Sequence, residues 1–240
     1  MSLKNQGEYM QPELQYPSQT QLGKLSIVRN KVLRNTFWML GLTMIPTIIG
    51  AMIGMSTNFS FMAQSPVMGM VVMLAVMFGF IFAIKATRNS IWGIVLLFGF
   101  TFCLGWFLGP LLNSALEFSN GPQLIGLAAG GTATILFSLA GYATVTKKDF
   151  GFMGNFLFAG MILLVIAMVA NIFLDIPAAS LGISAVAVLL FSGFILYDVS
   201  RIVNGGETNY VMAALGMYLN VFNLFVHLLH LLMAFAGQKD

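Results

Sequence analysis

Charge is scarce in this chain. Asp, Glu, Lys and Arg make up 8% of its 240 residues, against about 25% in an average soluble domain. A soluble protein needs a charged surface to stay dispersed. This one is 58% hydrophobic instead, which excludes an ordinary globular domain. Cysteine is nearly absent. Cys103 stands alone in an apolar run, so no intrachain disulfide framework exists. The short alternating segments of outer-membrane barrels are missing, and long apolar runs take their place. The lysine-bearing phosphate loop and the His-Glu-x-x-His metalloprotease motif are missing too, and no nucleophile pairs with either histidine. No catalytic residue, metal site or cofactor is therefore expected, and the chain does not read as an enzyme. The net charge of +3 does not point to nucleic acid, because the bases are scattered and flank the apolar runs.

Those runs set the organisation. Residues 1–24 are polar, with Pro12, Pro17 and several Gln. They lack the apolar core of a signal peptide and read as a disordered cytoplasmic tail. Lys24, Arg29, Lys31 and Arg34 form a basic collar, and Ser26 to Arg34 reads as a short interfacial helix. The 50 residues between Arg34 and Lys85 carry no charge. A hydrocarbon core of roughly 30 Å is spanned by about 20 residues, so this stretch holds two spans, with the polar Ser56–Pro66 segment between them. Residues 25–240 form a seven-span membrane domain on this reading, with spans at about 35–56, 66–84, 90–112, 123–144, 152–174, 180–200 and 210–235. The fold class is all-α, a transmembrane-helix bundle. Pro46 should kink the first span, Gly109-Pro110 should end the third, and Gly205-Gly206 should stop the sixth.

Orientation follows from the bases, which are enriched in cytoplasmic loops. With the N-terminus cytoplasmic, the inner loops carry Lys85, Arg88, Lys147, Lys148 and Arg201, and the outer loops carry only Glu117 and Asp175. A six-span chain with a re-entrant last segment is the alternative for the C-terminus. Trp38, Trp92 and Trp106 fall near span ends, at the level suited to amphipathic rings.

An ionisable side chain inside a span is a functional candidate, because hydrocarbon penalises it. Asp198 is the clearest. Arg201 lies three residues on, so an Asp198–Arg201 pair that merely orients the helix is the competing account. The last span carries Asn220, Asn223, His227 and His230 at steps of three, four and three, which keeps them near one face. Such a stripe is packing glue or a wet path. Asn113, Glu117, Asn171 and Asp175 form either an outer vestibule or ordinary loop chemistry. Gly130-Gly131-Thr132 reads as a close-packing site.

The stretch from Ser192 through Tyr197-Asp198-Val199-Ser200-Arg201 to Asn204-Gly205-Gly206-Glu207 and Asn209-Tyr210 resembles the Bax inhibitor-1 family, in particular its bacterial YccA-like branch. Leu108-Gly109-Pro110-Leu111-Leu112-Asn113, Gly130 to Ala133 and Met217 to Phe225 are similar to that branch as well. The resemblance runs from about Leu25 to the C-terminus. It implies a seven-helix bundle around a central last helix, in the inner (plasma) membrane. It implies one of two functions. One is regulation of a membrane-anchored ATP-dependent quality-control protease; the other is a pH-modulated calcium or cation leak. In channel-like members two aspartates on the last two spans share a proton and govern closure. The first matches Asp198 and the second falls at Asn220, which makes Asp198, Asn220, Asn223 and His227 the candidate ion-path or pH-sensing residues. Lys85, Arg88 and Arg201 are candidates for the family's arginine latch. Asparagine does not titrate, so the two-carboxylate switch is expected to be absent or blunted and calcium binding at most weak.

Overall fold

The computed structural model describes residues 19–57, 59 and 66–237. Among them run seven helices: α1 (Gln19–Ser56), α2 (Pro66–Thr87), α3 (Ile91–Leu116), α4 (Gly121–Thr146), α5 (Met153–Leu174), α6 (Pro177–Val203) and α7 (Tyr210–Gly237). Each is long and apolar enough to cross a membrane. The helical form is dictated by the solvent, since hydrocarbon offers no partner to an open backbone N–H or C=O.

The boundaries have local causes. Ser90 accepts a hydrogen bond from the Trp92 N–H at 3.0 Å and starts α3. Asn209 starts α7 by accepting from the N–H groups of Val211 and Met212 at 3.1 and 3.0 Å. Pro122 and Pro177 lie in the first turns of α4 and α6, where a missing N–H costs nothing. α6 stops at Gly205, whose φ of 83° returns the Gly206 N–H to the Arg201 carbonyl at 2.7 Å, a left-handed helix end that glycine adopts without strain.

Four readings need correction. There is no separate interfacial helix over Ser26–Arg34, because α1 is continuous from Gln19. Residues 19–24, assigned to the tail, are its first turns, and residues 1–18 lie outside the described residues. Gly109-Pro110 does not end the third helix, which continues to Leu116. Pro110 leaves the Trp106 carbonyl without an intrahelical donor, and α1 is packed against that carbonyl. α7 is one unbroken helix of 28 residues, which removes the re-entrant alternative.

α1 and α3 make the closest helix pair. Gly50 and Gly54 of α1 face the carbonyls of Phe102 and Trp106, and Gly105 and Gly109 of α3 face the backbone of Thr47 and Gly54. A Cβ at any of the four would overlap main chain. Each helix thus presents two glycines four residues apart, the spacing that lets membrane helices touch backbone to backbone. Near the end of the pair, the Trp106 indole N–H donates to Thr57 Oγ1 at 2.9 Å and Asn113 Nδ2 donates to the Met55 carbonyl at 2.9 Å. Trp106 therefore binds α1, while Trp38 and Trp92 stay exposed.

α7 is the axis of the bundle. It packs against α1, α3, α4 and α6, and its only exposed residues are Phe235 and Gly237. Tyr218, fully buried, ties three helices together. Its hydroxyl lies 2.9 Å from Thr47 Oγ1 of α1 and donates to the Thr101 carbonyl of α3 at 3.3 Å. Gly131 of α4 packs against Leu228 of α7, whereas Gly130 faces open space, so one of the paired glycines serves close packing. α2 packs on α3 and α5 on α6, at the periphery. Most of the surface of both is apolar and exposed, as lipid-facing helices require.

Two substitutions test this packing. Gly109→Val should lower thermal stability in detergent by about 1–3 kcal/mol or more, the usual cost of overpacking, while Gly126→Val, which meets open space, should leave it unchanged. Tyr218→Phe should cost about 1 kcal/mol, the typical net worth of a hydrogen bond, with the fold retained. Fluorescence-detected size-exclusion melting measures both.

Candidate functional site

The polar groups of α7 divide into two sites. The first joins α6 to α7. Asn220 Nδ2 donates to Asp198 Oδ2 at 2.8 Å, and Asn220 is 7% exposed. Gly216, one turn before Asn220, lies against the same carboxylate oxygen, and its missing side chain leaves room for it. The pairing of Asp198 with Arg201 is not formed. Arg201 turns to Glu207 at 3.7 Å and lies over the Tyr197 ring at 5.5 Å. The partner of Asp198 is thus a neutral amide that has a proton to give and cannot lose it.

The second site lies about two turns further along α7. His227 Nδ1 is 3.3 Å from Ser184 Oγ of α6, and His230 Nδ1 is 2.9 Å from the same oxygen. Phe191 stacks on the His227 ring at 6.1 Å between centroids and 15° between planes. Asn223 joins neither site, since its Nδ2 donates to the Leu219 carbonyl of its own helix at 2.8 Å.

A hydrogen-bonded surface closes one end of the bundle. Ser200 Oγ accepts from the Phe150 N–H and donates to the Lys148 carbonyl, both at 3.0 Å. Asn204 Nδ2 donates to the Ser200 carbonyl at 3.0 Å. Asn209 Nδ2 donates to Asn89 Oδ1 at 2.9 Å and to the Arg88 carbonyl at 3.2 Å. Arg29 reaches the Val203 carbonyl at 3.5 Å. Three interhelical turns and the first part of α1 are thereby joined, and Arg29, Arg34, Lys85, Arg88, Lys147, Lys148 and Arg201 gather at this basic end. Of the candidate latch residues, Lys85 and Arg88 have exposed side chains; Arg88 enters the network through its backbone, and Arg201 through Glu207.

At the opposite end, Asn113 and Asn171 have structural duties. Asn113 clasps α1, as described above. Asn171 accepts the Asp175 N–H on its carbonyl at 2.8 Å and the Ile176 N–H on Oδ1 at 3.3 Å, where Asp175 turns left-handed. An apolar groove of about 620 Å³ opens between α1 and α4, with Val221, Phe222 and Phe225 of α7 as its floor. Among the described residues no group of three or more His, Cys, Asp or Glu is placed to hold a metal ion.

Sequence reasoning missed Ser184, the group on which both histidines converge. Its one signal is a hydroxyl in an apolar span, which carries no periodicity. The glycine pairs Gly50/Gly54 and Gly105/Gly109 did carry a readable signal in their spacing.

Comparison with known proteins agrees with this geometry. Residues 29–237 match the family model described as inhibitor of apoptosis-promoting Bax1. A membrane protein of Vibrio cholerae is 44% identical over 203 residues, 85% of this chain and 89% of its own length. The modulator of FtsH protease YccA of Escherichia coli K12 is 43% identical over 203 residues, 85% of this chain and 90% of its own. An inner membrane protein YccA of a second Escherichia coli strain matches equally well. The chain is therefore a multi-pass inner-membrane protein that belongs to the Bax inhibitor-1 family.

Proposed function

We propose that this protein binds and modulates a membrane-anchored ATP-dependent protease; its Escherichia coli relative is named a modulator of FtsH protease. The similarity to that modulator over nine tenths of its length carries the reading. The pairing of Asp198 with Asn220 supports it, because a carboxylate held by an amide lacks the repelling partner that a proton-driven two-carboxylate gate requires. The basic end faces the cytoplasm on this reading, in keeping with the enrichment of Lys and Arg in cytoplasmic loops. Residues 1–24 and the network of Asn89, Lys148, Asn204 and Asn209 would then be presented to the protease on its ATP-hydrolysing side. Co-purification of the full-length chain with FtsH from detergent-solubilised membranes, followed by degradation of a membrane substrate by the complex, tests this. The expected result is a stable complex that degrades its substrate severalfold more slowly. An unchanged rate with no complex removes the proposal.

One observation favours a second reading, a cation leak: the polar groups of α7 are turned inward, along about 15 Å of helix from Asn220 to His230. The apolar groove offers no such path, since its lining carries no charged side chain. In vesicles loaded with a calcium-sensitive dye, wild-type flux should lack the pH step of a two-carboxylate gate. Asn220→Asp should make flux rise with pH, because two facing carboxylates hold together while they share a proton and repel once both are ionised. Flux no greater than that of empty vesicles for both proteins excludes the leak.

A further inference from the structure

His227 and His230 are the two histidines of the chain, and both turn Nδ1 to one serine oxygen. Ser184 is 2% exposed and His227 6%, so neither is open to bulk water. A hydroxyl owns a single proton and can donate to one ring only; the other ring must donate to it. With both rings neutral, one therefore carries its hydrogen on Nδ1 and the other on Nε2. The two arrangements also differ in which ring holds its hydrogen on Nε2, so transfer across the serine bridge alone does not interconvert them; it would leave an imidazolate beside an imidazolium.

We propose that His227, Ser184 and His230 form a single proton-binding site, in which one excess proton is shared between the two imidazoles through the serine hydroxyl. An imidazolium at either position donates from Nδ1 to Ser184 Oγ, and Ser184 donates to the neutral ring. Transfer across the bridge forms one N–H bond and one O–H bond and breaks one of each, so the doubly protonated ring becomes neutral as its partner becomes the cation. A second proton would place two cations on either side of one oxygen in a medium of low dielectric, so the site takes one proton rather than two.

Among the described residues, other ionisable groups do not intrude. Asp198 lies 14 residues from Ser184, about 21 Å along α6, with Tyr197 and Arg201 at the same end. α4 contributes Tyr142 towards the basic end, and α5 contributes no ionisable residue. In α1, Arg29, Lys31 and Arg34 are also at the basic end, and in α3 the one thiol is Cys103. Asp175 and Glu117 are exposed in the turns at the opposite end. On α7 itself, Tyr218 is bonded to Thr47 and Tyr210 is in the first turn. The pair is thus an isolated buffer in the half of the bundle away from the bases. Its existence requires neither the protease reading nor the leak.

Full-length protein labelled with 15N-histidine alone, in lipid nanodiscs, gives imidazole signals from two residues. Towards alkaline pH, the expected spectrum has one ring protonated at Nδ1 and the other at Nε2. On acidification both rings should follow one curve that accounts for one proton. Ser184→Ala should split this into two independent curves, and Ser184→Thr, which keeps the hydroxyl, should restore the common one. His230→Gln serves if Ser184→Ala fails to fold, and should move the His227 curve away from its wild-type midpoint. Two wild-type rings that titrate independently, or a His227 curve that is the same in His230→Gln, overturn the proposal.

Discussion

Lipid hydrocarbon gives polar groups nothing to bond with, and the placing of every helix in this protein follows from that constraint. α7 carries Asn220, Asn223, His227 and His230, which no lipid-facing helix tolerates cheaply. A charged side chain at mid-membrane costs about 2.5–3.5 kcal/mol on insertion scales, and neutral amides and imidazoles still demand partners. The bundle meets the demand by enclosing α7. Asn220 bonds Asp198, both histidines bond Ser184, and Asn223 returns to its own backbone. The central position of the last helix is thus a consequence of its composition.

Two kinds of adhesion hold the enclosure together. α6 and α7 are joined by polar contacts, each worth about 0.6–2 kcal/mol in a membrane, and by close packing along their length. α1 and α3 are joined by four glycines that bring main chain against main chain, where dispersion between well-fitted surfaces supplies the attraction. Tyr218 connects the two systems, because one hydroxyl reaches both α1 and α3 from α7. α2 and α5 have no such connections and complete the outer surface.

Much of this was legible in the sequence, for physical reasons. Apolar runs interrupted by charge locate spans because the bilayer allows few alternatives. That Asp198 and Asn220 belong together was implied only by the family resemblance, while the inward turn of the last span's stripe was legible through its three-four periodicity. What was not legible depends on facts that no window of sequence contains. Gly109-Pro110 reads as a helix stop by local propensity, yet α3 continues to Leu116, with Gly54 of α1 packed against the carbonyl that proline frees. Arg201 reads as the neighbour of Asp198, yet the turn at Gly205 brings Glu207 within its reach. Ser184 is a single hydroxyl whose importance lies in two residues more than 40 positions away.

The glycine-lined junction of α1 and α3 also constrains how the molecule is built. The two are nearest neighbours in space, but α2 is made between them. The junction therefore cannot close until α3 has been made, and α2 ends packed on α3 rather than between the two. Main-chain surfaces have no rotamers to yield, so the register of this pair tolerates little adjustment.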